Sequence, residues 1–174
     1  MSVLRAVFSL GLFLYLSAQT LAQNTVSVAT DFSKPGQTAS DTCKAEVQAF
    51  MRMATVYPHP ATGWHFVIVC DESTWKIFLQ KAGLNNEPGE HYGETDIDKN
   101  ITVIRGWRLI HPDTLVSPEH IVAHELAHII LHSRDEVEVD KQAQAWMEQE
   151  KLSPGSLVRP TLAATITPPQ NSAK

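Results

Sequence analysis

The stretch His124-Glu125-Leu126-Ala127-His128 sets two imidazoles four residues apart, with a carboxylate directly after the first. On a helix, residues i and i+4 lie on one face, one turn apart. Both rings can therefore reach one metal ion from the same side, and an imidazole nitrogen binds Zn²⁺ at about 2.0–2.1 Å. Glu125 is one position further on and rotated by about 100°. It stands beside such an ion rather than on it, where a general base would act on a metal-activated water. The competing explanation is a pair of hydrogen-bonded core histidines. Ile121, Val122, Leu126, Ile129, Ile130 and Leu131 bury this stretch, and two imidazoles with a carboxylate are costly there unless paired or metal-bound.

His120, His124, His128 and His132 form an unbroken i, i+4 series. Histidines eight residues apart are separated by about 12 Å of helix rise, so three of them cannot supply a tetrahedral set. His120 and His132 therefore read as flanking residues that cap, solvate or hydrogen-bond. A third ligand must come from another element, with a fourth position left open. Glu136, Glu138 and Asp140 follow at once. Val139, Ala143, Trp146 and Met147 mark the apolar stripe of their helix. Glu136 and Asp140 share that stripe, whereas Glu138 lies opposite with Lys141, Gln142, Ala145 and Gln149. This phase selects Glu136 as third ligand, with Glu138 as the fallback. Asp140, one turn on, is expected to accept the free ring N–H of a ligating histidine. The alternative for both acids is a solvated, acidic helix start favoured by the helix dipole.

The elements that must position these groups are legible upstream. Residues 41–56 carry Ala45, Val47, Phe50, Met51 and Ala54 at helical spacing after Ser40-Asp41. Trp64 to Cys70 is short, β-branched and aromatic, and reads as a buried strand. Asp71 or Ser73 then caps a helix ending at Gly83. Residues 84–93 read as a loop. Residues 101–106 read as a second strand that pairs with 93–97 across the Asp98-Lys99-Asn100 turn. Ser117-Pro118-Glu119 supplies a hydroxyl N-cap, a proline at N1 and an acid in the first turn. The helix it opens should run to about His132. After a break at Ser133-Arg134-Asp135, a second helix should cover roughly 135–151.

The chain has 174 residues with net charge −5, 43% hydrophobic and 19% charged, enough to bury one core. Its basic residues are scattered, which argues against nucleic acid as a partner. Residues 1–22 read as a signal peptide: Arg5, an apolar run from Val7 to Leu16, then small residues at Thr20-Leu21-Ala22. That run falls short of the ~20 residues of a membrane span, so no stable membrane insertion is expected after cleavage. Loss of Arg5 from the 14 basic residues leaves 13 against 19 acidic ones. The protein is expected to be secreted or periplasmic. Residues 23–40 read as a polar linker, 41–152 as the folded domain, and 153–174 as a proline-rich disordered tail. Cys43 and Cys70 are the two cysteines. In an exported chain they are candidates for one disulfide, with two buried thiols as the alternative.

From His124 to Asp140 the chain resembles the zincin metallopeptidases, specifically the glutamate-ligand branch. His124-Glu-Leu-Ala-His-Ile-Ile-Leu-His132 followed by Glu136-Val-Glu-Val-Asp140 is most similar to the small ImmA/IrrE-type members. The resemblance covers about residues 94–150 and is specific over 120–147. It implies an α+β, zincin-like fold: a small mixed sheet packed on helices, with the metal helix followed by a short ligand helix. It also implies an edge strand beside the zinc that holds a substrate backbone, a role for which 101–106 is the candidate. The interval from His128 to Glu136 is short for that branch and demands a tight turn.

The resulting expectation is a zinc-dependent peptidase acting on peptide or protein substrates, with His124, His128 and Glu136 on the metal and Glu125 as base. His132, Arg134, Tyr92 and His91 are candidates for stabilising an oxyanion. The alternative is an exported zinc-binding or partner-binding module that hydrolyses nothing.

Overall fold

The computed structural model describes residues 23–29, 43–84, 91–157 and 164–167. It is a mixed α+β structure. Strands β1 (Asn24–Ala29), β2 (His65–Val69), β3 (Gly93–Asp96), β4 (Ile101–Arg105) and β5 (Ala164–Thr167) form one sheet in the order β3-β4-β2-β1-β5. Only β3 runs antiparallel to its neighbour. Parallel neighbours need long crossovers, and helices α1 (Lys44–Ala54) and α2 (Glu72–Ala82) supply them. Three further helices follow: the short α3 (Gly106–Ile110), α4 (Pro118–Leu131) and α5 (Glu136–Leu152).

The core lies where the sheet meets α1 and α4, around Val26, Phe66, Ile68 and Ile104 with Phe50, Val122 and Leu126. Phe50 and Phe66 pack with ring centroids 5.1 Å apart. α2 is tied to the sheet by a two-point ion pair, with Arg105 Nε 3.0 Å from Glu72 Oε1 and Nη2 2.5 Å from Oε2. Asp71 caps α2 by accepting from the Thr74 N–H, and Gly83 closes it in the left-handed conformation at φ 80, which costs glycine nothing. Cys43, at the start of α1, and Cys70, at the end of β2, are joined in a disulfide with Cα atoms 5.5 Å apart. Closing that 27-residue separation stabilises by about 3–4 kcal/mol in the chain-entropy treatment.

Both expected helix–strand successions are present, and so is the hairpin, with its loop at 97–100 rather than 98–100 and its register shifted by one residue, but three further expectations change. Residues 24–29 are a strand in the sheet's interior, not linker. Val26 and Val28 alternate with polar neighbours, and Val26 is buried between two parallel partners. The buried Asn24 locks this strand in place: its Nδ2 donates to the Pro60 carbonyl and its Oδ1 accepts from the Trp64 N–H. Residues 164–167, expected within the disordered tail, form β5 beside β1, a pairing with no local sequence signal. Finally, 101–106 is not the edge: β4 lies between β3 and β2, and β3 is the outermost strand on that side. The expected signal peptide at 1–22 and the remainder of the expected linker and tail beyond residues 29 and 157, apart from β5, fall outside the described residues. Among the described residues, no helix is long and apolar enough to cross a membrane.

Candidate metal centre

α4 starts as its sequence dictates. Ser117 accepts from the His120 N–H at 3.2 Å, and Pro118 stands at the first helical position. Such a cap contributes about 1 kcal/mol. Ile121, Val122, Leu126 and Ile129 bury the helix against the core, which fixes its rotation. The same rotation turns His124 and His128 toward α5 and Glu125 toward the hairpin.

The connection to α5 is as tight as the short interval requires. His132 adopts the left-handed conformation at φ 51 and closes α4, while the Ser133 N–H bonds back to the His128 carbonyl. Asp135 then caps α5 by accepting from the N–H groups of Val137 and Glu138. Because α5 runs back along α4, Glu136 meets His124 and His128, and Asp140, one turn later, meets His120.

Three side chains converge there. His124 Nε2 lies 3.2 Å from His128 Nε2 and 3.1 Å from Glu136 Oε2, and His128 Nε2 lies 3.6 Å from Glu136 Oε1. Ligands about 2.0–2.1 Å from a common tetrahedral ion are separated by about 3.3 Å. The triangle has the size of one face of such a site. Its chemistry also fits a cation. His128 Nδ1 stands 2.8 Å from the Ser133 carbonyl, which places the ring proton on Nδ1 and leaves the Nε2 lone pair facing the cluster. Burial first, and the neighbouring His128 second, hold the His124 imidazole below its ordinary pKa, which favours the neutral form that binds metals. Three groups able to hold a metal ion therefore meet at one point.

The other acids take different places. Glu138 is exposed, and its Oε2 accepts from Ser133 Oγ at 2.7 Å, so it is absent from the triangle, as helical phase requires. Asp140 reaches His124 Nδ1 only at 3.8 Å, while its Oδ1 lies 2.9 Å from His120 Nε2. The closer partner is thus the flanking histidine, one turn upstream on α4. His120, His124 and Asp140 make a second, overlapping group of donors.

Glu125 is turned from the α5 side of α4 toward the hairpin and is buried, with a relative exposure of 5%. Burial pushes its carboxyl pKa up to about 8, against a hydrogen bond from Thr95 that lowers it; Glu94 and Glu136 add to the rise. Thr95 Oγ donates to Glu125 Oε2 at 2.6 Å. Gly93 is the other close neighbour: a Cβ there would collide with the Glu125 carboxylate. Both belong to β3, so the edge strand supports the acid directly.

His124, Glu125, His128 and Glu136 all line one cleft of about 600 Å³, with Gly93 and Thr95 on its other wall. Of the four oxyanion candidates, Arg134, Tyr92 and His91 line this cleft, while His132 caps α4. Tyr92 commits its hydroxyl proton to Asp113 Oδ2 at 2.8 Å, which removes it as a donor. Arg134 Nη2 is paired with Asp98 at 2.5 Å.

Thr95 and Gly93 escaped the reading of the sequence. The expected three-residue turn at 98–100 sets Thr95 opposite Val103; the observed loop is one residue longer, 97–100, and pairs Thr95 with Thr102. Nothing in residue type marked that pair as touching the acid on α4. No protein-family model, curated protein or solved structure matches this chain.

Proposed function

We propose that this chain is an exported zinc-dependent metallopeptidase of the glutamate-ligand zincin type, close in kind to the ImmA/IrrE-type enzymes. The observation that carries the proposal is the convergence of His124 Nε2, His128 Nε2 and the Glu136 carboxylate at 3.1–3.6 Å, with Glu125 lining the same cleft. His124, His128 and Glu136 would hold the ion. Zinc held there supplies a Lewis acid that polarises a scissile carbonyl and acidifies water. Glu125 takes a proton from the attacking water and delivers it to the leaving amine as the C–N bond breaks. Burial raises the pKa of the Glu125 carboxyl in the metal-free chain, and a dication beside it would favour the ionised form that accepts a proton. Arg134 and His91 are the remaining candidates for stabilising the oxyanion.

The substrate is an extended peptide or unfolded protein segment. β3 is the edge strand of the sheet and lines the cleft through Gly93, Glu94 and Thr95, so its outer edge is the place for a substrate backbone to add as a strand. Export is supported by the signal-like first 22 residues and by the Cys43–Cys70 disulfide, which persists in oxidising compartments.

The test is metal analysis of the purified full chain, followed by incubation with an unfolded protein. One zinc per chain and cleavage that disappears in Glu125→Gln support the reading. Zinc without cleavage assigns the chain to non-catalytic metal binding.

A further inference from the structure

Behind Glu125 lies a chain of hydrogen bonds that reaches the far side of the hairpin. Trp64 Nε1 donates to Thr102 Oγ at 2.9 Å; Thr102 Oγ and Thr95 Oγ lie 2.9 Å apart; Thr95 Oγ lies 2.6 Å from Glu125 Oε2. Trp64 and Thr102 are buried, Thr102 completely.

The direction of this chain is not free. An indole N–H can only donate, so Thr102 receives at its oxygen and must place its own proton elsewhere. Its one further partner among the described residues is Thr95 Oγ. Thr95 therefore receives from Thr102 and has its proton left for Glu125 Oε2. Running the chain the other way would leave the Thr102 hydroxyl proton buried without an acceptor, a costly arrangement. Linked donors of one polarity also strengthen one another.

We propose that Trp64, Thr102 and Thr95 form a one-way hydrogen-bond relay that anchors Glu125 through Oε2 and so reserves Oε1 as the atom that takes and returns the proton. The inference rests on the peptidase reading and names its positioning residue, Thr95. In the reaction, the water O–H bond breaks, Oε1–H forms, and the same proton passes to the leaving nitrogen. Oε2 remains an acceptor throughout. Gly93 completes the arrangement, because the carboxylate packs where its Cβ would stand.

The experiment compares Thr95→Val, which keeps shape and strand preference but loses the hydroxyl, with Thr95→Ser, which keeps it. Zinc-loaded full-length chains are assayed on a quenched-fluorescent peptide library of mixed sequence. Thr95→Val should lower kcat about 10- to 100-fold, the range for losing a hydrogen bond to a charged group. KM should stay within about twofold, as for an interaction that matters in the transition state, and Thr95→Ser should restore most of the rate. Unchanged kcat in Thr95→Val, or an equal loss in Thr95→Ser, overturns the proposal.

A second readout needs no activity. The indole ¹H–¹⁵N resonance of Trp64, assigned by its disappearance in Trp64→Phe, should shift in both Thr95→Val and Glu125→Ala, although the indole N–H bonds to Thr102. A resonance that stays put in both overturns the relay. A wild-type chain that cleaves nothing when zinc-loaded defeats the peptidase reading instead, and the resonance still decides whether the relay exists.

Discussion

The two sides of α4 are built on opposite chemical principles. Toward α5, His124, His128 and Glu136 bring two ring nitrogens and a carboxylate within 3.1–3.6 Å of one another, and Glu136 is 71% exposed. Toward the hairpin, Glu125 is buried and receives a donated hydrogen bond from Thr95. One side gathers nitrogen and oxygen atoms of the kind that could hold a metal ion. The other side brings a donor to an acid and leaves part of its carboxylate uncommitted. A single helix carries both because adjacent residues are rotated by about 100°, so the binding task and the proton-transfer task are separable by mutation.

That separation gives the largest expected effect. Glu125→Gln should lower peptide cleavage by roughly 10²- to 10⁴-fold, the usual contribution of a general base, while zinc content measured by mass spectrometry stays at one per chain. His128→Ala should do the reverse in order of cause, losing the ion first and activity with it. If Glu125→Gln loses zinc as completely as His128→Ala, the two sides are not independent.

Next in size is Gly93→Ala. The added methyl meets the Glu125 carboxylate, so activity should fall by about tenfold or more, of the order of the 1–3 kcal/mol that overpacking typically costs. Zinc affinity should change little. A variant of normal activity would show that β3 has room to yield.

A third comparison concerns pH. Burial raises the folded-state pKa of Glu125 from 4.5 to about 8, so the folded chain prefers the protonated acid. Its contribution to stability is complete below the unfolded value and declines as pH rises toward 8. The metal-free chain should therefore lose melting temperature between pH 4.5 and 8, and Glu125→Gln should flatten that slope. Zinc should flatten it too, because a nearby dication favours the ionised carboxylate. A metal-free chain whose melting temperature rises steadily through this range would contradict the assignment.

The smallest effects discriminate among the acids of α5. Asp140→Asn should weaken zinc binding by about tenfold or less, at the low end for groups that orient ligands, since its closer partner is His120 rather than His124. Glu138→Gln should leave both zinc and activity unchanged; competition with a chelating dye measures both variants.

The sequence made the binding side of α4 far more legible than the supporting side. The spacing of His124 and His128, the Ser117-Pro118 start and the apolar stripe at Val139, Ala143 and Trp146 are local signals. Together they place Glu136 rather than Glu138 at the cluster. Glu125's surroundings depend on a strand 30 residues away, and Thr95 carries no mark of its own. The ends of the sheet were harder still. β1 reads as polar because its buried Asn24 works through hydrogen bonds to residues 60 and 64. β5 exists only through its pairing with β1. Misassigning 101–106 as the edge strand has the same origin, since strand order in a sheet is not a local property.

The most direct measurement is zinc K-edge X-ray absorption on the purified full chain, combined with its Glu136→Ala variant. The account predicts one ion per chain, bound by two imidazoles and a carboxylate at about 2.0–2.1 Å, with the carboxylate contribution lost in the variant. A chain that holds no zinc when supplied with it, or a spectrum indifferent to Glu136, would contradict the metal centre and the hydrolysis built on it.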